Sequence, residues 1–154
     1  MIQYPATVSS GPSYMISNSV SLPRTLVNHI LTHAQQAPNN EVCGLIGRQD
    51  EQSPTLYPIN NIANDTHCLF RMDPAQQIEA MRNMREQGEE LFAIYHSHPH
   101  APGLPSSVDI EQASYPDTLY LIISLNTIGV LEMRGFYLRN SSSQEVSLQV
   151  YDAS

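Results

Sequence analysis

At 154 residues the chain makes one domain, long enough to bury a core without disulfide staples. A formal net charge of -8 with no basic cluster argues against phosphate-backbone binding, and so against a nucleic-acid role. No apolar run reaches membrane-spanning length, and Met1-Ile2-Gln3-Tyr4 lacks the basic start and apolar core of a signal peptide, so a soluble, cytoplasmic protein with no membrane partner is expected.

Cys43 and Cys68 stand in apolar contexts and outline no secreted disulfide framework, which fits a reducing compartment. All seven basic residues are arginine, a feature that drift in base composition explains most simply and that escape from lysine-directed modification would also produce. Residues 1–13 carry Pro5, Gly11, Pro12 and several serines without periodicity and read as a flexible N-terminal arm, leaving 14–154 as the folded domain. A first strand is expected over 14–20. From 23 to 37 the apolar residues Leu26, Val27, Ile30, Leu31, Ala34 and Ala37 fall on one helical arc, with Pro23 suited to the first turn and Pro38 beyond the end. His29 and His33 flank that arc, and no Glu follows His29 as an HExxH pattern would require, so both are boundary residues.

Residues 42–47 and 55–59 read as neighbouring strands, the second ending in the polar turn Asn60-Asn61. His67 lies in a polar turn with no evident partner. Asp73 can cap a second helix, with Pro74 at its first position, Gln76 reaching back and Gly88 ending it; Ile78, Met81 and Met84 mark its buried face. Residues 91–95 and 119–125 are continuous apolar runs, the pattern of central strands covered on both faces. Between them a short helix begins at Ser106 and runs to about Ser114. Residues 130–138, then Val146, Leu148 and Val150, supply later strands with the period of two expected near an edge. The fold class is α/β (α+β): a mixed sheet with helices packed against it.

The chemistry sits at the end of the first central strand. His96 and His98, two apart, point to one side, Pro99, Pro102, Gly103 and Pro105 stiffen the connection that follows, and Asp109 returns from the first turn of the next helix. The histidines are expected to project beyond the sheet, and three protein ligands plus an open position are what catalytic zinc requires. Ser106 and Asp109 also fit a helix-capping pair, a role that does not exclude the other. A hydrolase further needs a carboxylate base, and Glu41, opening the strand at 42–47, is the candidate, although by position alone a solvated acid is the commoner outcome.

As a set these residues resemble the JAMM motif of the MPN-domain metallopeptidases: a distant Glu, then His-Ser-His-Pro, seven intervening residues, a Ser, and an Asp three further on. Glu41, His96, Ser97, His98, Pro99, Ser106 and Asp109 match it without a gap, and similarity extends through 41–47, 70–74, 92–113 and 120–125. The resemblance implies a cytidine-deaminase-like mixed sheet in which His96, His98 and Asp109 hold one zinc ion, Glu41 is general acid and base, and Ser106 steadies the oxyanion at an amide carbonyl. Ser97 then points away and is structural, His100 is a rim residue and Cys43 fills the core. The short interval from Glu41 to His96 is similar to the compact prokaryotic type, associated with small ubiquitin-like sulfur-carrier proteins. Its implied reaction is hydrolysis of a peptide or isopeptide bond at a C-terminal Gly-Gly region. The alternative is a non-catalytic MPN scaffold. A zinc deaminase lacks support because its Pro-Cys-x-x-Cys segment is absent, and a RadC-like role because no DNA-binding extension is present.

Overall fold

The computed structural model describes residues 19–128 and 131–152; the expected arm at 1–13, most of the expected first strand and Val130 lie outside them. In chain order the elements are β1 (Ser19–Pro23), α1 (Arg24–Gln35), β2 (Cys43–Arg48), β3 (Thr55–Ile59), α2 (Pro74–Glu86), β4 (Glu90–His98), α3 (Ser107–Gln112), β5 (Leu119–Ser124), β6 (Glu132–Arg139) and β7 (Ser142–Tyr151). The strands form one mixed sheet in the order β1-β7-β6-β5-β4-β2-β3. The β1–β7 and β4–β5 pairs are parallel and the others antiparallel. The two apolar runs are therefore the middle of the sheet, as their composition predicts.

Alternation along the central strands divides the core in two. Ala93 and Tyr95 of β4 and Leu119, Leu121 and Ile123 of β5 pack with Leu26, Ile30 and Ala34 of α1. Ile94 of β4 and Tyr120 and Ile122 of β5 pack on the other face with Ala80 and Met84 of α2. His96 and His98 share the parity of Ile94 and so belong to the α2 face.

Several local expectations shift. Pro23 is extended (φ -69°, ψ 142°), ends β1 and precedes α1 instead of sitting in its first turn. Asp73 caps α2 by accepting the Ala75 N–H, and Gly88 follows the helix at φ 73°, a left-handed position glycine tolerates best. Gln76 does not reach back to the cap; its side-chain oxygen accepts the Asn60 N–H at 2.7 Å. Ile78 is 62% exposed, because α2 meets the sheet along Ala80 and Met84, with Met81 alongside, and Ile78 falls outside that stripe. The largest change is at the strand end. β4 continues through His98, with His96 opposite Cys43 and Ile122 and His98 opposite Ser124, so the histidines do not project beyond the sheet. Ser97 extends the β2 side: its N–H donates to Val42 O at 3.0 Å and its hydroxyl accepts the Val42 N–H at 2.9 Å.

Gly44 lies opposite Tyr95, whose hydroxyl hydrogen-bonds His33 Nδ1 at 2.7 Å. A Cβ on Gly44 would stand 2.5 Å from that hydroxyl oxygen and 2.6 Å from Cζ. Gly44→Ala should therefore destabilise the protein by about 1–3 kcal/mol, at about 2–4 °C per kcal/mol in thermal unfolding. Adding Tyr95→Leu should recover part of the Gly44→Ala loss. An unchanged melting temperature for Gly44→Ala would contradict the tight packing of the Tyr95 ring.

Candidate metal centre

The loop after β4 is held in place from both ends. Leu125 N–H donates to His98 O at 3.0 Å, and the Ser124 hydroxyl donates to Ala101 O at 2.8 Å. It delivers Ser106 to the start of α3, where a capping box forms: Ser106 Oγ accepts the Asp109 N–H at 3.0 Å, and Asp109 Oδ2 accepts the Ser106 N–H at 2.9 Å. That same Oδ2 faces the histidines. It lies 3.1 Å from His96 Nε2 and 3.2 Å from His98 Nε2, and the two nitrogens are 3.1 Å apart.

The triangle of donors suits a small divalent cation. Bonds of about 2.0–2.1 Å in a tetrahedral site place neighbouring ligand atoms about 3.3 Å apart, close to the spacing found. The chemistry of the nitrogens agrees. His98 Nδ1 is 2.8 Å from Pro102 O, a group that only accepts, so Nδ1 carries a hydrogen and neutral His98 turns the Nε2 lone pair into the triangle. Phe70 stacks on the His96 ring at 4.4 Å between centroids and 23° between planes, shielding it from solvent. His96 Nδ1 is buried without a hydrogen-bond partner.

Burial lowers the pKa of His96 against an opposing pull from Asp109. For His98 burial also opposes charge, but Asp109 and the Pro102 carbonyl outweigh it and raise the pKa. Burial resists ionisation of Asp109 too; the two imidazoles and the Ser106 N–H overcome it and hold this carboxyl well below the usual carboxylate range.

Glu41 is not a solvated acid. It is 5% exposed, its Oε1 is buried without a partner, and its carboxylate forms a group with His96 and His98 whose donor atoms lie within 4.8 Å of one another. Burial pushes its pKa up to about 8, with His98 lowering it and Asp109 adding to the rise. The backbone around it is tied on three sides: Glu41 N–H donates to Thr66 O at 2.7 Å, Glu41 O accepts from Asn61 Nδ2 at 2.9 Å, and Val42 is held by Ser97.

The structure thus brings together Glu41, His96, His98 and Asp109, with Ser106 at the adjoining helix start. His100 is exposed, its ring 6.5 Å from that of His67. His67 does have a partner, Asn39 O at 2.6 Å from its Nδ1. Cys43 is buried, its thiol donating to Ile59 O at 3.4 Å, whereas Cys68 is exposed beside Asp65 and not in an apolar setting. Phe70, Asn61 and Pro102 escaped the sequence reading. Phe70 had a signal, the one aromatic residue of the loop between β3 and α2; Pro102 acts through its backbone carbonyl, which no side-chain pattern reports.

The family model described as prokaryotic homologues of the JAB domain matches residues 23–136. A desampylase of Haloferax volcanii is 33% identical over 116 residues, 71% of this chain and 84% of that protein. A probable TtuB-protein conjugate cleaving protease of Thermus thermophilus is 33% identical over 130 residues, 84% of this chain and 81% of its own length. Among solved structures, a protein of Desulfitobacterium hafniense, 33% identical, has a TM-score of 0.76 across 86% of this chain and 93% of its own. With the fold, the spacing of the site and a family match over most of its length, the chain belongs to the compact prokaryotic branch of the JAMM/MPN family.

Proposed function

We propose that the protein is a zinc-dependent metallopeptidase, binding one zinc per chain through His96, His98 and Asp109. Its reaction is hydrolysis of the peptide or isopeptide bond that joins the C-terminus of a small ubiquitin-like sulfur-carrier protein to its adduct. The observation that carries this reading is the convergence of three ligand atoms at 3.1–3.2 Å beside a buried, unpartnered carboxylate oxygen of Glu41. The Thermus relative, named for cleaving a protein conjugate, supports the substrate class. Among the described residues no helix is long and apolar enough to cross a membrane.

Zinc at this position would supply a Lewis acid that polarises the scissile carbonyl and acidifies water. Glu41 accepts the proton that water releases as its oxygen bonds to the carbonyl carbon. It returns that proton to the nitrogen as the C–N bond breaks, so one water is consumed and an amine leaves. Burial raises the pKa of Glu41, and a zinc ion beside it would oppose that rise and favour the ionised form that accepts the proton. Ser106 Oγ accepts the Asp109 N–H, which leaves its own hydrogen to donate to the oxyanion.

The proposed tail of the carrier is a C-terminal Gly-Gly region. The cavity against His96 and Asp109 is about 40 Å³, walled by Phe70, Gln112 and Tyr120. Two wider clefts, of about 320 and 420 Å³, share Phe70 and Gln112 with it. Glycines in that tail would let its backbone approach closely where a Cβ would clash.

Three measurements bear on this reading. Glu41→Gln should retain zinc but lose at least about 100-fold in cleavage of a carrier conjugate followed by mass spectrometry; near-full activity would remove Glu41 as the base. Chelation should abolish cleavage and added zinc restore it, with one zinc per chain by elemental analysis and none retained by His98→Ala. Ser106→Ala should cost about 10²–10³ in kcat, with Ser106→Thr recovering most of it through the retained hydroxyl. Zinc-loaded protein that leaves every carrier conjugate unchanged in mass would reject the proposed reaction.

A further inference from the structure

We infer that Asn61 is a positioning residue for Glu41, acting through the loop that follows β3; the inference rests on the reading of Glu41 as the proton carrier. Residue 61 sits where the chain leaves the sheet, in an isolated antiparallel bridge with Met72. Ile62 N–H donates to Arg71 O and Asp73 N–H to Asn60 O, closing the neck of the loop at 62–71. The Asn61 amide fills the loop base. Its Nδ2 donates to Glu41 O and to Leu69 O, each at 2.9 Å, and its Oδ1 accepts the N–H groups of Ala63 and Arg71, each at 3.0 Å.

Two donors and two acceptors are thus all engaged, and only one orientation of the amide is compatible with two carbonyls on one side and two N–H groups on the other. Of these four bonds, one leaves the loop and ends on the residue proposed to move the proton. A second clasp parallels it, since Glu41 N–H donates to Thr66 O at 2.7 Å and the Thr66 hydroxyl donates to Asn40 Oδ1 at 2.6 Å. The same loop carries Phe70, stacked on His96 at 4.4 Å. The loop therefore touches both sides of the reacting centre, the carboxylate through its backbone and a metal-ligating imidazole through an aromatic ring. Asn61 sets its base.

Asn61 reaches no reacting atom, so its effect appears as misplacement of Glu41, for which an error on the order of 1 Å costs as much as about 100-fold. Aspartate at 61 is nearly the same shape and keeps both acceptor bonds but gives no donor to Glu41 O or Leu69 O. In zinc-loaded protein, Asn61→Asp should lower kcat on a carrier conjugate at least about tenfold, with KM within about twofold and zinc still stoichiometric. In a Glu41→Gln background it should add no more than about twofold, because the residue it positions is already disabled. Independently of turnover, hydrogen–deuterium exchange should quicken at 40–43 and 62–71 and stay unchanged in β5. Should Asn61→Asp fold poorly, Asn61→Ser, which leaves room for water to meet the same four groups, is read by the same criteria.

Unchanged kcat, a loss confined to KM, or a loss that adds in full to that of Glu41→Gln would overturn the assignment. Unchanged exchange at 40–43 would do so as well. If wild-type protein cleaves no conjugate, the proposed reaction fails on its own, while the exchange pattern still decides whether Asn61 holds Glu41.

Discussion

Two imidazoles are buried on one face of a strand that is hydrogen-bonded on both sides, and the rest of the molecule is arranged around that constraint. Burying polar nitrogens costs free energy unless they find partners. Within β4 the alternation of the chain sends His96 and His98 the same way, and pairing with β2 and β5 leaves them little freedom to move apart. The third donor has to be brought from elsewhere. A proline-rich loop does this, and α3 fixes the result by making one oxygen, Asp109 Oδ2, both its capping acceptor and the partner of the two imidazoles. The proposed metal ligand and the acceptor that secures a helix start are thereby the same atom.

What the sequence made legible is what repeats or is local. The arc of α1, the two central strands, the caps at Asp73 and Ser106 and the spacing of His96, His98 and Asp109 all follow from periodicities or short-range chemistry. The length of β4 did not, because polar residues on a buried face break the apolar run that marks a strand and look like a loop. Ile78 fails for a related reason: in a helix with little apolar content, the contact stripe is chosen by what the sheet presents, and the small Ala80 allows the closer approach. The dipeptide Asn60-Asn61 reads as a polar turn, and only the tertiary structure shows that Asn61 spends its whole hydrogen-bonding capacity on Glu41 and the loop. Ser97 was legible as structural, but its hold on Val42, next to Glu41, was not.

Opposite faces of the sheet carry different duties. On the α1 face the packing is apolar and tight, down to Gly44 yielding its side-chain space to Tyr95. The α2 face gives way from packed apolar residues at Ile94 and Ile122 to the imidazoles at the end of β4. Phe70 and Tyr120 stand at that border and line the small cavity beside His96 and Asp109. These rings shield the His96 side of the site, the Tyr120 hydroxyl being engaged by the Tyr115 N–H, and a less polar surrounding strengthens the electrostatic interactions inside.

Glu41 is the residue whose placement is hardest to justify by stability. A carboxylate with a buried, unpartnered oxygen is costly, and the rise of its pKa to about 8 is that cost expressed as reluctance to ionise. His98 relieves it only in part; residues 41 and 42 are held through the main chain by Thr66, Asn61 and Ser97. A fold selected for stability alone would let such a group turn toward water at the sheet's end. This one fixes the backbone on either side so that the carboxyl stays beside the histidines, partly desolvated. Strain of that kind, met by satisfied bonds one residue away, is what distinguishes a site held for chemistry from a polar cluster that merely survived burial.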